Sequence, residues 1–333
     1  MPQRQEQALR YGSRDMRILV TTTSFQDTPG AHHDVLRDSG FEIVSARGPL
    51  GEGQMLELLA GEGFDGLLNG DDAVTARVID AALPRLRVIA KYGIGLDSID
   101  VVHASARSLP VLSTPGVNHT TVAEHTFGLM IALAKQFWPH LRSTKAGQWK
   151  RMTGSELAGK RLALLGLGRI GKEVARRAAA FDMQLVGCDP IWDDAFAAAH
   201  GLARAANAAD AVRDADVISL HMSLSEANRR WFDRPRIATL KRGAFIINTS
   251  RGALVDEAAV AEACSSGQLG GYGTDVLEQE PPLPGHPFIG VDNVIVTPHI
   301  GSRTYESVER QGLRAARNLV NFLRGDPDFI RAN

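Results

Sequence analysis

Short apolar runs recur along the whole chain, and each is followed by a stretch of helical character. They lie at 17–22, 41–46, 65–69, 88–92 and 111–113. After a long helical stretch they resume at 161–165, 184–188, 217–221, 244–248, 271–276 and 293–297. Val, Ile and Leu fill successive positions without polar alternation, the pattern of parallel strands buried on both faces. Parallel neighbours need a crossover between them, and the intervening helices supply it as right-handed βαβ units. A chain of 333 residues exceeds one ordinary core. The expected class is therefore α/β, with two doubly wound parallel-sheet domains.

The seam between them is legible. Ser113-Thr-Pro-Gly-Val-Asn118 is a loop of helix and strand breakers. Residues 118–145 read as one long helix, with Thr120 or Thr121 as N-cap and Gly147 at its end. Thr297-Pro298 stops the last strand. A final amphipathic helix, about 304–324, carries Val308, Leu313, Ala316, Leu319, Val320 and Leu323 on its apolar side. This helix is expected to return to the first domain. Residues 1–113 and 300–333 then form one discontinuous domain and 114–299 the other, with a hinge near 115 and 298. The first dozen residues read as a frayed tail.

Charge narrows the function. Lys plus Arg number 37 against 38 for Asp plus Glu, so no global field favours nucleic acid or a membrane surface. No run approaches the ~18 apolar residues of a membrane span. Cys188 and Cys264 lie far apart without metal-type spacing and read as free thiols of a reducing compartment. A cytoplasmic location is expected. His119 and His125 are six positions apart and so lie on different helix faces, while His32-His33 reads as a solvated loop. No metal site is expected.

Gly166-Leu-Gly168-Arg-Ile-Gly171 sits between an apolar run and a helical stretch. Gly166 allows a tight turn, Gly168 lets the backbone approach a pyrophosphate, and Gly171 lets the helix pack on the strand. The helix N-terminus offers N–H groups to the anion. Asp189 ends the next strand, where a carboxylate accepts hydrogen bonds from a ribose diol and repels a 2′-phosphate. Pro190, Ile191 and Trp192 follow it, with no Arg or Lys to clamp a 2′-phosphate. The expected cofactor is NAD.

Three polar residues stand at strand ends, where open α/β sheets bind ligands: Arg251, Glu280 and His299. A histidine can protonate the developing alkoxide of a ketone, a carboxylate can orient the ring, and a guanidinium can grip a carboxylate. Glu278 competes with Glu280, and spacing alone does not separate them.

Beyond single residues, several ordered motifs coincide. They are Lys91-Tyr-Gly-Ile-Gly-Leu-Asp-Ser-Ile-Asp100, Thr114-Pro-Gly-Val-Asn118, Ala123-Glu-His125, the glycine loop, Asn248-Thr-Ser-Arg-Gly252, Asp275-Val-Leu-Glu-Gln-Glu-Pro281 and Thr297-Pro-His-Ile-Gly301. By these, from about residue 16 to 325, the chain resembles the D-isomer-specific 2-hydroxyacid dehydrogenase family. The resemblance implies a Rossmann nucleotide-binding domain at 114–299 and a flavodoxin-like substrate domain. It makes Arg251, Glu280 and His299 the catalytic set and leaves Glu278 outside it. It implies hydride transfer between NAD(H) and C2 of a small 2-oxo/2-hydroxy acid, with His299 as general acid/base.

It also implies cofactor contacts from Gly166, Gly168, Arg169, Ile170, Gly171, Asp189, Pro190, Thr121, His221, Thr249, Ser250 and Asp275, the last to the nicotinamide carboxamide. Substrate contacts fall to Asn69, Lys91, Tyr92 and the N–H groups of Gly93, Ile94 and Gly95. Glu124 and His125 are expected to help close a cleft between the domains. A homodimer built on the nucleotide domains and the 120s helix is expected, with Trp138 and Trp149 as packing or dimer contacts. Asn69-Gly70 stand where relatives acting on phosphoglycerate tend to carry Arg-Ser, and Ser223 where the family often has proline. Specificity is expected in 22–25, 69–72 and Lys91. The rival readings are NAD-linked oxidation of an inorganic anion such as phosphite, and a non-catalytic NAD-sensing protein.

Overall fold

All neighbouring strands of the two sheets run parallel in the structure, a computed structural model that describes residues 16–61 and 63–333. The tail expected over the first dozen residues lies outside the described residues. The protein is α/β and divides into two compact units. One comprises residues through Asn118 together with Arg303–Asn333, and the other comprises His119–Ser302.

In the first unit the strands are β1 (Arg17–Val20), β2 (Glu42–Ser45), β3 (Gly66–Asn69), β4 (Val88–Lys91) and β5 (Val111–Leu112). Their order is β2-β1-β3-β4-β5, so the winding reverses between β1 and β3. β3 and β4 are buried at every position, Asn69 and Lys91 included. The helix Tyr305–Arg324, capped by Thr304, packs on this sheet. Ala315, Ala316, Leu319, Val320 and Leu323 join Ile18, Val20, Leu68, Val88 and Leu112 in one core, each fully buried Leu contributing ~1.5–3 kcal/mol. Leu313 sits off this stripe and is only partly buried.

The solvated loop expected at His32-His33 is instead the start of the helix His32–Arg37. The His32 ring is buried against Gly312 of the long helix, and its Nε2 lies 3.0 Å from the Phe25 carbonyl.

The second unit contains β6 (Arg161–Leu165), β7 (Gln184–Cys188), β8 (Leu202–Arg204), β9 (Val217–Leu220), β10 (Ala244–Asn248), β11 (Leu269–Thr274) and β12 (Val294–Val296). The order β12-β11-β10-β9-β6-β7-β8 places the switch point between β6 and β9. β8 is absent from the sequence reading. It is an edge strand of three residues, of which only Leu202 is buried.

The single helix expected over 118–145 is two: His119–Ala134 and Phe137–Lys145. Gln136 between them adopts the left-handed conformation, φ 53° and ψ 42°. Pro139 explains the break, because its ring would clash with the Lys135 carbonyl of a continuous helix and it has no N–H to donate. Thr120 and Thr121 lie inside the first turn rather than capping it. No helix among the described residues is long and apolar enough to cross a membrane.

Candidate active site

The glycine turn follows β6 directly, at the switch point of the second sheet. Gly166 has φ +98°, and a Cβ there would lie 2.6 Å from the His221 carbonyl at the end of β9. A Cβ on Gly171 would lie 2.1 Å from the Gly166 carbonyl oxygen. These two glycines are demanded by the protein itself. Gly168 is different, because a Cβ there would meet nothing within 4 Å.

Gly168 is the N-cap of the helix Arg169–Ala180 and supplies no side chain to the first-turn N–H groups. Beside it opens a hollow lined by Leu167, Gly168, Lys172, Asp189, Ile191 and Trp192, among others. An uncapped helix end, an open approach at Gly168 and an adjoining hollow fit a dinucleotide. Asp189 accepts from the N–H of Leu167 at 2.6 Å and of Ile191 at 2.7 Å, so it ties the turn to the end of β7.

The segment after β10 is built by its own side chains. Asn248 donates to the Arg251 carbonyl and accepts from Ser250 N–H, while Ser250 Oγ donates to the Leu220 carbonyl. Thr249 Oγ1 lies 3.0 Å from Thr126 Oγ1, and Thr121 is buried five residues earlier in the same helix. The Arg251 guanidinium donates to the Ser250 carbonyl at 2.7 Å. Gly252 brings this segment against the next loop: a Cβ there would lie 2.0 Å from the Leu277 carbonyl carbon.

That loop carries the two acids which spacing does not separate. Glu280 Oε1 accepts from Leu277 N–H at 2.9 Å, and its Oε2 lies 2.7 Å from His299 Nδ1. Glu278 turns away to Arg230, at 3.1 Å. His299 itself has φ +53°, an uncommon conformation for a residue with a side chain, and its ring is 43% exposed.

Asp275, at the end of β11, holds that conformation. Its carbonyl accepts from His299 N–H. Its carboxylate accepts from Thr297 Oγ1 (2.6 Å), Ile300 N–H (2.9 Å) and Gly301 N–H (2.6 Å), with His125 Nε2 at 3.3 Å. Burial alone would raise this carboxyl. Hydrogen bonds from His125, Thr297 and Ile300 and the charge of His125 outweigh it and hold the pKa below the ordinary carboxylate value. Three hydrogen bonds and the His125 contact thus converge on one carboxylate, Oδ1 taking all of them but that of Gly301. Asp275 thus anchors the 297–301 turn. His125, expected at a cleft, is part of this anchor, 2.8 Å from Thr297 Oγ1. The sequence marks Thr297 as the end of the last strand and the start of the Thr297–Gly301 motif but gives no sign of this anchoring role.

His221 is a poor proton carrier. Its Nε2 lies 2.8 Å from Ser219 Oγ, its Nδ1 is enclosed without a partner, and burial pushes its pKa down to about 3.

Of the expected substrate residues, all in the first unit, Asn69 and Lys91 are buried at neighbouring strand ends. The Tyr92 hydroxyl is also enclosed, and burial raises its pKa. The N–H of Gly93 is donated to Thr114 Oγ1 at 3.0 Å. Ile94 is 44% exposed beside it.

Comparison with known proteins identifies the family. Residues 127–301 match the family model described as D-isomer specific 2-hydroxyacid dehydrogenase, NAD binding domain, so the cofactor of this unit is NAD. A hydroxypyruvate reductase of Thermotoga maritima is 40% identical over 75% of this chain and 81% of its own length. A D-3-phosphoglycerate dehydrogenase of Methanocaldococcus jannaschii is 39% identical over 76% of this chain, which spans about half of that protein (48%). A solved protein of Thermus thermophilus superposes with a TM-score of 0.85 at 36% identity, covering 96% of this chain and all of that one.

Two outcomes follow from this geometry. Gly168→Ala should leave the melting temperature unchanged yet weaken NADH binding by about tenfold or more, since only a ligand competes for that space. Calorimetry and thermal melts on one sample separate the two effects. Asp275→Asn should cost about 3 kcal/mol near neutral pH. Because the folded pKa is depressed, this contribution is present above the unfolded value of about 4 and is lost as pH falls through the folded value. Denaturant titrations across pH should therefore show the gap between the two proteins closing only in acid.

Proposed function

The chain belongs to the D-isomer-specific 2-hydroxyacid dehydrogenase family, and on that premise we propose that it reduces a small 2-oxo acid to the D-2-hydroxy acid, or runs the reverse. The observation that carries this reading is the 2.7 Å contact between His299 Nδ1 and Glu280, in the same unit as the open glycine turn. The bound dinucleotide supplies the hydride. Glu280 fixes the ring through Nδ1, so Nε2 is the nitrogen that holds the proton going to the C2 oxygen. In the reverse direction neutral His299 accepts that proton at the same nitrogen. Arg251 grips the substrate carboxylate by paired hydrogen bonds. In the first unit Ile94 and Gly95, not Gly93, are the proposed main-chain donors to the substrate.

The proposed assembly is a homodimer. Its support is the exposed apolar set Phe137, Trp138, Leu141 and Trp149 along and after the second half of the broken helix. A cytoplasmic site of action is proposed from the reduced cysteines, Cys188 and Cys264.

The reading is tested by NADH consumption with glyoxylate, pyruvate, hydroxypyruvate, 3-phosphohydroxypyruvate, 2-oxoglutarate and phosphonopyruvate side by side. At least one should be reduced. His299→Ala should lower that kcat by ~10²–10⁴ and leave NADH affinity nearly unchanged. A folded variant with full turnover removes His299 from the mechanism.

A further inference from the structure

The carboxyl edge of the first sheet holds a buried cation. Lys91 ends β4, and its side chain is only 3% exposed. Its Nζ donates to the Gly70 carbonyl and lies 2.8 Å from Asp71 Oδ1. Asp71 is 72% exposed. The buried ammonium of Lys91 is thus paired with a carboxylate that itself stands largely in solvent.

This is not a loose surface pair. The turn that carries Asp71 is fixed from both sides. Gly70 O also accepts from Asn69 Nδ2 at 3.0 Å, and Gly70 N–H donates to buried Asp72 at 3.1 Å. Asp72 in turn accepts from Thr21 Oγ1 at 2.5 Å and Leu50 N–H at 2.9 Å. A rigid turn therefore presents one carboxylate to one buried ammonium, beside the switch point between β1 and β3 where a doubly wound sheet takes its ligand.

We infer that Asp71 is a specificity-determining residue: by pairing with Lys91 it selects 2-oxo acids whose C3 substituent is uncharged and excludes those bearing a phosphate or phosphonate there. The inference rests on the reductase reading above. A second anion at this edge meets the Asp71 carboxylate first, and it reaches Lys91 only by displacing that carboxylate. An uncharged C3 group leaves the pair intact. Asn69 adds no positive charge at the same edge.

The test compares kcat/KM for 3-phosphohydroxypyruvate with that for hydroxypyruvate in the unsubstituted chain, in Asp71→Asn and in the double variant with Lys91→Gln. Asp71→Ser replaces Asp71→Asn if the latter does not fold. The ratio should rise by about tenfold, 1.4 kcal/mol of discrimination, when Asp71 is neutralised. It should return to its starting value when Lys91 is removed as well. A ratio unmoved in the folded single variant, or a rise that persists without Lys91, overturns the inference while leaving the reductase reading in place. No reduction of any 2-oxo acid by the unsubstituted chain overturns both.

Discussion

One buried carboxylate organises the candidate chemistry. Asp275 directly follows β11, and its two oxygens gather a threonine hydroxyl, a histidine and two main-chain N–H groups. Such a group is costly to bury without donors and very stable with them. Its donors come from the helix His119–Ala134 and from the turn after β12, so satisfying it pins that turn to the sheet. Only in the pinned turn does His299 hold a left-handed backbone and meet Glu280. The strain at residue 299, of order 1–3 kcal/mol for a non-glycine left-handed residue, is set against three charge-assisted hydrogen bonds to Asp275.

The glycine turn obeys a different economy of space. Gly166 and Gly171 are needed for the strand, the turn and the helix to pack at all, whereas Gly168 faces openness. Structural and ligand requirements are therefore separable at neighbouring positions of one motif. The parallel sheet makes this possible, because all its strands deliver their carboxyl ends to one edge, and the winding reverses at β6 and β9.

Much of this was legible in the sequence, for a physical reason. Strands buried on both faces must be apolar at successive positions, so most of them are visible as runs. β8 is not, because only Leu202 of its three residues is buried. The helix break at Gln136 is masked by good helix formers around it, and Pro139 was its one available sign. The distinction between Glu280 and Glu278 is invisible to spacing, because it lies in which partner each finds: His299 for one, Arg230 for the other. The occupied N–H of Gly93, the burial of His32 and the anchoring role of Asp275 share that character. Each depends on a group distant in sequence, Thr114, Gly312 and the 297–301 turn, which local patterns do not report.

The proposed chemistry rests on one geometry, in which a proton-carrying His299 would stand beside a nicotinamide whose pyrophosphate rests on the 166–171 turn. A crystal structure with NADH and a non-reducible 2-oxo acid analogue measures it directly. The account predicts pyrophosphate oxygens on the N–H groups of residues 169 and 170. It also places the analogue's C2 about 3–3.5 Å from the transferring ring carbon, with His299 Nε2 in hydrogen-bonding reach of the C2 oxygen. A dinucleotide seated away from the turn, or an imidazole out of reach of that oxygen, contradicts it.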